Sequence, residues 1–362
     1  MTDVNLADNS CRAALLTSNA PGAIAVIRVV GRDVVGRVGG LLRRFSADTP
    51  VELSADRPTP VRIVDGAAMV DEAVALLRRD GRGESLEIST HGGVRVVQVV
   101  LGLLTRRGVA VVQVEALAEA WAADPIERDV DRALLTSESR RLTQWLLAQR
   151  AILPGYLAGA AALSAAQREE YNRRTAVAIR LVAGLRVALV GPPNAGKSTL
   201  ANRLIGHDRV LTSERPGTTR DWVAETALID GWPVTLTDTA GVRETDDPIE
   251  MEAIRRGRAQ AHAADLAVIV LNGSAAAERV RMELDALTGT LPPDQPRVVV
   301  MNKSDLMTDA AITSHGLDAS VFSVSAHTSE GVGRLERAIL GGLRLDCLDE
   351  SHPTGFLDEH VI

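Results

Sequence analysis

The sequence predicts an α/β protein whose second half is a doubly wound, mostly parallel sheet. Three observations support this fold class. Short apolar runs alternate with helical patterns from residue 186 to about residue 342, as in parallel strands joined by crossover helices. Runs rich in β-branched residues also fill the first hundred or so residues, which predicts a separate mixed α/β domain. The stretch between the two is rich in Ala, Leu, Arg and Glu and predicts helices.

These changes in composition divide the chain into three predicted domains. Its 362 residues are enough for two or three domains with cores of their own. The predicted N-terminal α/β domain spans 1–112, and the doubly wound domain spans 185–342. A helical segment spans 113–184 and is expected to pack with the C-terminal residues 343–362.

Local signals predict single elements within these domains. Residues 23–30 predict a strand, and Asp33 is the expected N-cap of a helix over 34–42. Residues 151–166 contain Pro154, which predicts a loop followed by a helix because proline disrupts helix interiors.

Composition argues against several functional classes. The net charge of -7 and pI near 5.6 provide no broad basic surface, so any contact with nucleic acid is expected to be local. Aromatic residues make up 2% of the chain, which leaves few platforms for base stacking. The two cysteines, Cys11 and Cys347, are too few for a disulfide framework or a cysteine zinc site. No leader or membrane-spanning run is recognisable, so we expect a cytoplasmic protein without a membrane partner.

Residues 191–198, Gly-Pro-Pro-Asn-Ala-Gly-Lys-Ser, match the phosphate-binding P-loop between a buried strand and a helix start. Backbone N–H groups of such a loop and the helix dipole converge on a phosphate. Lys197 is expected to reach the outer phosphates and Ser198 to ligate magnesium. The alternative is a Gly-rich turn that binds nothing. The predicted contacts are Asn194, Ala195, Gly196, Lys197, Ser198 and Thr199.

A second motif, Asp-Thr-Ala-Gly at 238–241, follows an alternating run that predicts a strand. At the end of that strand, the Asp238 carboxylate can hold magnesium and the Gly241 N–H can contact the terminal phosphate. Thr218 or Thr219 can close on the magnesium ion and the terminal phosphate when a nucleoside triphosphate is bound. The predicted contacts here are Asp238, Thr239, Ala240, Gly241, Thr218 and Thr219.

A third motif, Asn302-Lys303-Ser304-Asp305, follows an apolar run and therefore lies at the carboxyl edge of the predicted sheet. An ionised Asp305 only accepts hydrogen bonds, which fits the N1 and N2 donors of guanine and rejects adenine. Ser325 and Ala326, after a further apolar stretch, are expected to present a backbone N–H to the guanine carbonyl. The sequence thus predicts GTP as the ligand.

The spacing of these motifs resembles the MnmE (TrmE) family of tRNA-modification GTPases. The matching stretches are 191–198, Pro-Gly-Thr-Thr-Arg-Asp at 216–221 and the segment 238–250. Residues 21–28 and 83–93 look like the folate-binding N-terminal domain of that family.

The resemblance implies a P-loop GTPase domain behind a folate-binding-type domain, with a reduced helical domain. It implies hydrolysis of GTP with Mg²⁺ and K⁺, and a folate derivative as a further ligand. It further implies that the protein modifies the wobble uridine of tRNA as a homodimer, with MnmG (GidA) as partner.

The resemblance also implies roles for single residues. Val242 is apolar where Ras-like proteins carry a water-orienting glutamine, and the family's glutamate for that role falls on Glu250. The alternative is that Glu250 only begins a helix. Asn194 matches the family's potassium-binding asparagine, the alternative being a loop-bracing asparagine. Thr219 matches the threonine that senses magnesium.

The chain also departs from the family pattern. It lacks the terminal Cys-Ile-Gly-Lys motif, so Cys347 is assigned no catalytic role, and residues 111–118 replace a Pro-Gly-Glu-Phe-Thr segment. His91 matches a family histidine, although a structural histidine beside a Gly-Gly turn is the alternative. Two other functions therefore stay open, namely a divergent GTPase switch, for example in ribosome assembly, and a nucleotide-dependent scaffold with little hydrolysis.

Overall fold

The computed structural model describes residues 11–17, 22–137, 139–206, 224–238, 255, 257–307 and 321–362. The chain forms two compact units, Met1–Arg132 and Ala133–Ile362. The three-domain division of the sequence analysis stays a prediction. Within the described part of the chain, no helix combines the length and apolar character needed to cross a bilayer.

The first unit is a mostly antiparallel sheet with helices. Its elements are β1 (Arg12–Leu15), β2 (Ile24–Gly31), α1 (Val34–Val38), β3 (Leu42–Arg44), β4 (Thr59–Asp65), β5 (Ala68–Asp80), β6 (Gly83–His91), α2 (Val94–Arg106), β7 (Ala110–Val111), α3 (Val114–Trp121) and α4 (Pro125–Leu135), whose last residues enter the second unit. The strand order is β3-β4-β5-β6-β2-β1-β7, and only the described pair β1 and β7 runs parallel.

The core of the first unit lies between this sheet and its helices. In α2 the buried side chains recur at helical spacing and pack with β2 and β6. The helix predicted over 34–42 is wrong at its end, because Leu42 begins β3 and pairs with Ile63 of β4. Leu42 is fully buried there, so sheet pairing and burial outweigh the helical pattern.

The second unit carries the doubly wound sheet. Its elements after α4 are α5 (Arg140–Ala158), α6 (Ala165–Ala183), β8 (Leu185–Val190), α7 (Lys197–Gly206), β9 (Ala224–Ile229), β10 (Trp232–Asp238), β11 (Leu266–Asn272), α8 (Ala277–Thr290), β12 (Arg297–Asn302), β13 (Val321–Ser323) and α9 (Val332–Leu343). The strand order is β13-β12-β11-β8-β10-β9. Among these strands only β9 runs antiparallel to its neighbour, which confirms the predicted mostly parallel sheet.

Parallel pairing brings three functional segments to one edge of this sheet. Six of the seven residues of β11 are buried, as expected for a central strand covered on both faces. Asp238 of β10 pairs with Leu189 of β8, and Asn302 of β12 pairs with Asn272 of β11. The chain segments after β8, β10 and β12 therefore leave the sheet at its carboxyl edge.

Two long helices, α5 and α6, precede the sheet. The loop predicted after residue 151 is wrong, because α5 continues through Pro154 to Ala158. Leu153 is fully buried, and Tyr156 stacks on Tyr171 of α6 with ring centroids 5.1 Å apart. Packing of these side chains stabilises the helix despite the hydrogen bond that proline cannot donate.

The C-terminal residues pack on the same two helices. The Tyr171 hydroxyl donates to the His360 carbonyl at 2.8 Å, and the Thr354 N–H donates to the Gln149 side chain at 2.8 Å. Phe356 is buried with its ring edge-on to Trp145, whose ring also meets Trp232 of β10. Helices, tail and sheet of the second unit therefore share one aromatic core.

Candidate nucleotide-binding site

The loop between β8 and α7 has the tight backbone of a phosphate-binding loop. Asn194 and Gly196 have φ angles of 62° and 89°, the left-handed region in which glycine is least strained. A Cβ atom on Gly191 would lie 2.2 Å from the Val270 carbonyl oxygen. One on Gly196 would lie 2.3 Å from the Asn302 amide nitrogen. Both glycines are thus required by contacts with the neighbouring strands.

Lys197 begins α7 and lies over this loop. Its side chain is buried, with 7% of the residue exposed, and its ammonium donates to the carbonyl oxygens of Gly191 at 3.0 Å and Pro192 at 3.2 Å. The next two residues, Ser198 and Thr199, are exposed in the first helical turn. A buried cation, a helix N-terminus and hydroxyl groups converge here, a combination that fits a phosphate and its magnesium ion.

Asn302 joins the phosphate side of the site to the base side. It ends β12 and is 2% exposed. Its amide group donates to the Ala195 carbonyl at 2.9 Å, and its side-chain oxygen accepts the Ala326 N–H at 3.0 Å. Asn302 was predicted to belong to the site, but its bridging contact could not be read from the motif.

Asp305 lies one turn further along the chain. Lys303 has a left-handed backbone, with φ of 65°, and starts the short 3₁₀ turn that carries Asp305. One Asp305 carboxylate oxygen accepts a hydrogen bond from the Ser325 hydroxyl at 2.6 Å, and the carboxylate of this exposed residue is thereby oriented. Ser325 is itself fully buried, and its hydroxyl accepts the Thr328 N–H at 3.1 Å.

Two contributions in this region were missed by sequence reasoning. Ser325 was predicted for its backbone, whereas the structure also gives its hydroxyl a contact with Asp305. Arg203 of α7 was not predicted at all, yet its guanidinium donates to the carbonyl oxygens of Ala326 and His327. No sequence signal identifies Arg203, because an arginine on a helix is usually solvated.

The remaining predicted contacts are described in part or lie outside the described residues. The backbone of Asp238 is described, and Asp238 pairs with Leu189 of β8. Leu189 lies two residues before Gly191, the first residue of the phosphate loop. Outside the described residues lie Thr218, Thr219, Thr239, Ala240, Gly241 and Glu250. In the part of the chain that is described, no three His, Cys, Asp or Glu side chains cluster as a metal site.

His91 of the first unit has a well-defined partner. Its backbone N–H donates to one oxygen of Asp71 at 2.9 Å, and its ring Nδ1 lies 2.7 Å from the other oxygen. Asp71 is largely buried, so these contacts satisfy a carboxylate that would otherwise be costly to bury. The pairing favours the structural interpretation of His91.

One known family matches the part of the chain that carries this site. The family described as a 50S ribosome-binding GTPase matches residues 186–303, which include the phosphate loop and Asn302. The doubly wound sheet, the P-loop and the base-side motif at its carboxyl edge define the class of protein, which is a P-loop GTPase.

The relatives extend over most of the chain. A tRNA modification GTPase MnmE from Roseiflexus sp. is 34% identical, over 89% of this chain and 80% of the relative. The MnmE of a Synechococcus sp. is 36% identical, over 81% of this chain and 74% of the relative. That of Chlorobium luteolum is 29% identical, over 95% of this chain and 83% of the relative. The chain belongs to the MnmE family.

A likeness to solved structures is also found. The crystal structure of an Era variant from Aquifex aeolicus has 25% sequence identity to this chain. The match covers 43% of this chain and 56% of the Era chain. The TM-score of 0.35 is too low to bear on function.

Proposed function

We propose that this GTPase acts in modification of the wobble uridine of tRNA, through a GTP hydrolysis cycle that depends on magnesium and potassium. The observation that carries the nucleotide part is the Asn302 bridge, which joins Ala195 of the phosphate loop to Ala326 beside Asp305. The tRNA pathway is supported by family membership, since the relatives are named for it. Those names favour tRNA modification over the ribosome-assembly alternative.

On the phosphate side, Lys197 and the helix N-terminus would neutralise charge that develops on the terminal phosphate. The Ser198 hydroxyl, the Asp238 carboxylate and Thr219 would hold magnesium, which supplies further neutralisation when bound. The exposed position of Ser198 in the first turn of α7 supports this assignment. Thr239, Ala240 and Gly241 would contact the terminal phosphate.

On the base side, Asp305 would accept both hydrogen bonds that guanine offers at N1 and N2. Adenine has no donor at N1, so its binding would leave the carboxylate unpaired. The Ser325 hydroxyl supports this role because it holds one carboxylate oxygen at 2.6 Å. The backbone of Ala326 would face the guanine carbonyl, and Lys303 would line the same side.

For hydrolysis, Glu250 would orient the attacking water in place of the glutamine of Ras-like proteins. Asn194 would supply its side-chain carbonyl to potassium, which stands in for an arginine finger. Asn194 is exposed and has a left-handed backbone, so its side chain is accessible to a second G domain. A homodimer would therefore form the complete site.

The first unit would supply the dimer contact and bind a folate derivative. A half-buried ion pair between Arg28 of β2 and Glu87 of β6 lies on the sheet, with N···O of 2.5 Å. Arginine and carboxylate groups are suited to the glutamate tail and the aminopyrimidine ring of a folate, respectively. MnmG and tRNA complete the proposed partners, and the cytoplasm is the proposed compartment.

The proposal is tested in cells that lack their own MnmE. This chain and its Lys197→Ala variant are supplied separately, and tRNA nucleosides are quantified by mass spectrometry. We expect the modified wobble uridine to return with the unchanged chain and to stay absent with the variant. A folded chain that hydrolyses GTP and restores no modified uridine would contradict the pathway and leave the GTPase assignment intact.

A further inference from the structure

Arg203 connects the helix after the phosphate loop to the loop beside the base. Its Nε atom donates to the Ala326 carbonyl at 3.1 Å and its Nη2 atom to the His327 carbonyl at 3.0 Å. These two donors lie on one edge of the planar guanidinium and suit two adjacent acceptors. We call residues 325–327 the base loop.

The base loop is held from three sides. Asn302 accepts the Ala326 N–H, and the Ser325 hydroxyl donates to Asp305. Arg203 donates hydrogen bonds to two successive carbonyl groups of the base loop. Arg203 belongs to α7, whose first residue is Lys197. Arg203 therefore links the helix that begins at the phosphate loop to the base loop.

Burial favours the half of this contact that reaches Ala326, whereas the hydrogen bond to the His327 carbonyl lies at the surface. Ala326 is 3% exposed, so water has little access to its polar groups. Arg203 is half-buried, and a lysine in its place would offer no planar pair of donors. Hydrogen bonds from a charged donor are also stronger than neutral ones.

We propose that Arg203 is a positioning residue for guanine recognition, which holds the base loop in place without touching the nucleotide. This inference rests on the proposed guanine site. It predicts that loss of Arg203 weakens binding of nucleotides that carry the 6-carbonyl, and leaves the chemical step unchanged.

The test measures affinity for GDP and for inosine diphosphate, which keeps the 6-carbonyl and lacks the 2-amino group. Arg203→Met retains an unbranched stem and removes the donors. We expect both dissociation constants to rise about tenfold, their ratio to stay constant, and KM for GTP to rise with kcat unchanged. The dissociation constants of Arg203→Lys should lie between those of the unchanged chain and those of Arg203→Met, because the lysine ammonium can still reach one carbonyl.

Arg337→Met is the matched control, since Arg337 of α9 is exposed and donates to Gly333 of its own helix. It should bind GDP as the unchanged chain does. A folded Arg203→Met protein with unchanged GDP affinity would overturn the inference. If that variant fails to fold, a folded Arg203→Lys protein with unchanged affinity overturns it equally.

The Asp305→Asn variant tests the guanine site independently of the role proposed for Arg203. A shift from guanosine to xanthosine nucleotides in that variant supports the base site whatever Arg203 does. Unchanged guanosine preference in Asp305→Asn would overturn the guanine site and the role of Arg203 with it.

Discussion

Asn302→Ala is expected to weaken GDP binding about 30-fold. The variant removes the amide donor to Ala195 and the acceptor of the Ala326 N–H. Each such bond contributes on the order of 1 kcal/mol net, and a total of about 2 kcal/mol corresponds to about 30-fold in affinity. Ala195 and Ala326 are at most 3% exposed, so water cannot readily replace the lost partner.

Isothermal titration of GDP into each variant measures this effect. Asn272→Ala is the control, because Asn272 ends the neighbouring strand β11 at the same register as Asn302. Its side-chain oxygen accepts local bonds from the backbone and hydroxyl of Ser274. The control should stay within about twofold of the unchanged chain. An Asn302→Ala protein that binds GDP equally well would refute the bridging role.

Four further outcomes are expected. Asp305→Asn should shift nucleoside triphosphate preference from guanosine to xanthosine in competition binding; unaltered GTP preference would rule out the base assignment. Glu250→Ala should keep GTP affinity and abolish single-turnover hydrolysis, and persisting turnover would mean that water is oriented elsewhere. Phe356→Ala should destabilise the second unit by about 3–5 kcal/mol in urea unfolding, whereas Val361→Ala, at an exposed position, should cost less than about 0.5 kcal/mol. Burial raises the pKa of Tyr171 to about 12, so the folded state resists its ionisation, and stability should fall as pH rises from about 10 towards 12. Tyr171→Phe should remove the part of this loss of stability that comes from ionisation of Tyr171. If the variant loses stability with pH just as the unchanged chain does, the role of Tyr171 is contradicted.

The sequence predicted the part of the site that local chemistry determines. The phosphate loop requires a glycine at 196 because of backbone conformation, and Lys197 follows at a fixed spacing, so both are visible in eight residues. The parallel sheet was predicted because buried strands such as β11 are apolar along most of their length.

Contacts between distant segments could not be predicted in the same way. Arg203 and Ala326 are 123 positions apart, and Asn302 and Ala195 are 107 positions apart. No pattern within one helix or strand shows which carbonyl groups a side chain reaches after the sheet has formed. The Ser325 hydroxyl was missed for the same reason.

Tertiary packing also explains the two elements that were predicted wrongly. Pro154 weakens a helix locally, but burial of Leu153 and the stack of Tyr156 on Tyr171 stabilise it. Leu42 continues a helical pattern, yet pairing with Ile63 places it in a strand. In both cases long-range burial outweighs a local preference, which is about 3 kcal/mol for a proline inside a helix and less than about 1 kcal/mol for a leucine.

The most direct test of the proposed cycle is steady-state GTP turnover in potassium against sodium buffer, across a range of protein concentrations. We expect potassium to accelerate turnover and the specific activity to rise with concentration, because Asn194 would coordinate potassium where two G domains meet. Turnover that is indifferent to both the cation and the concentration would contradict the account.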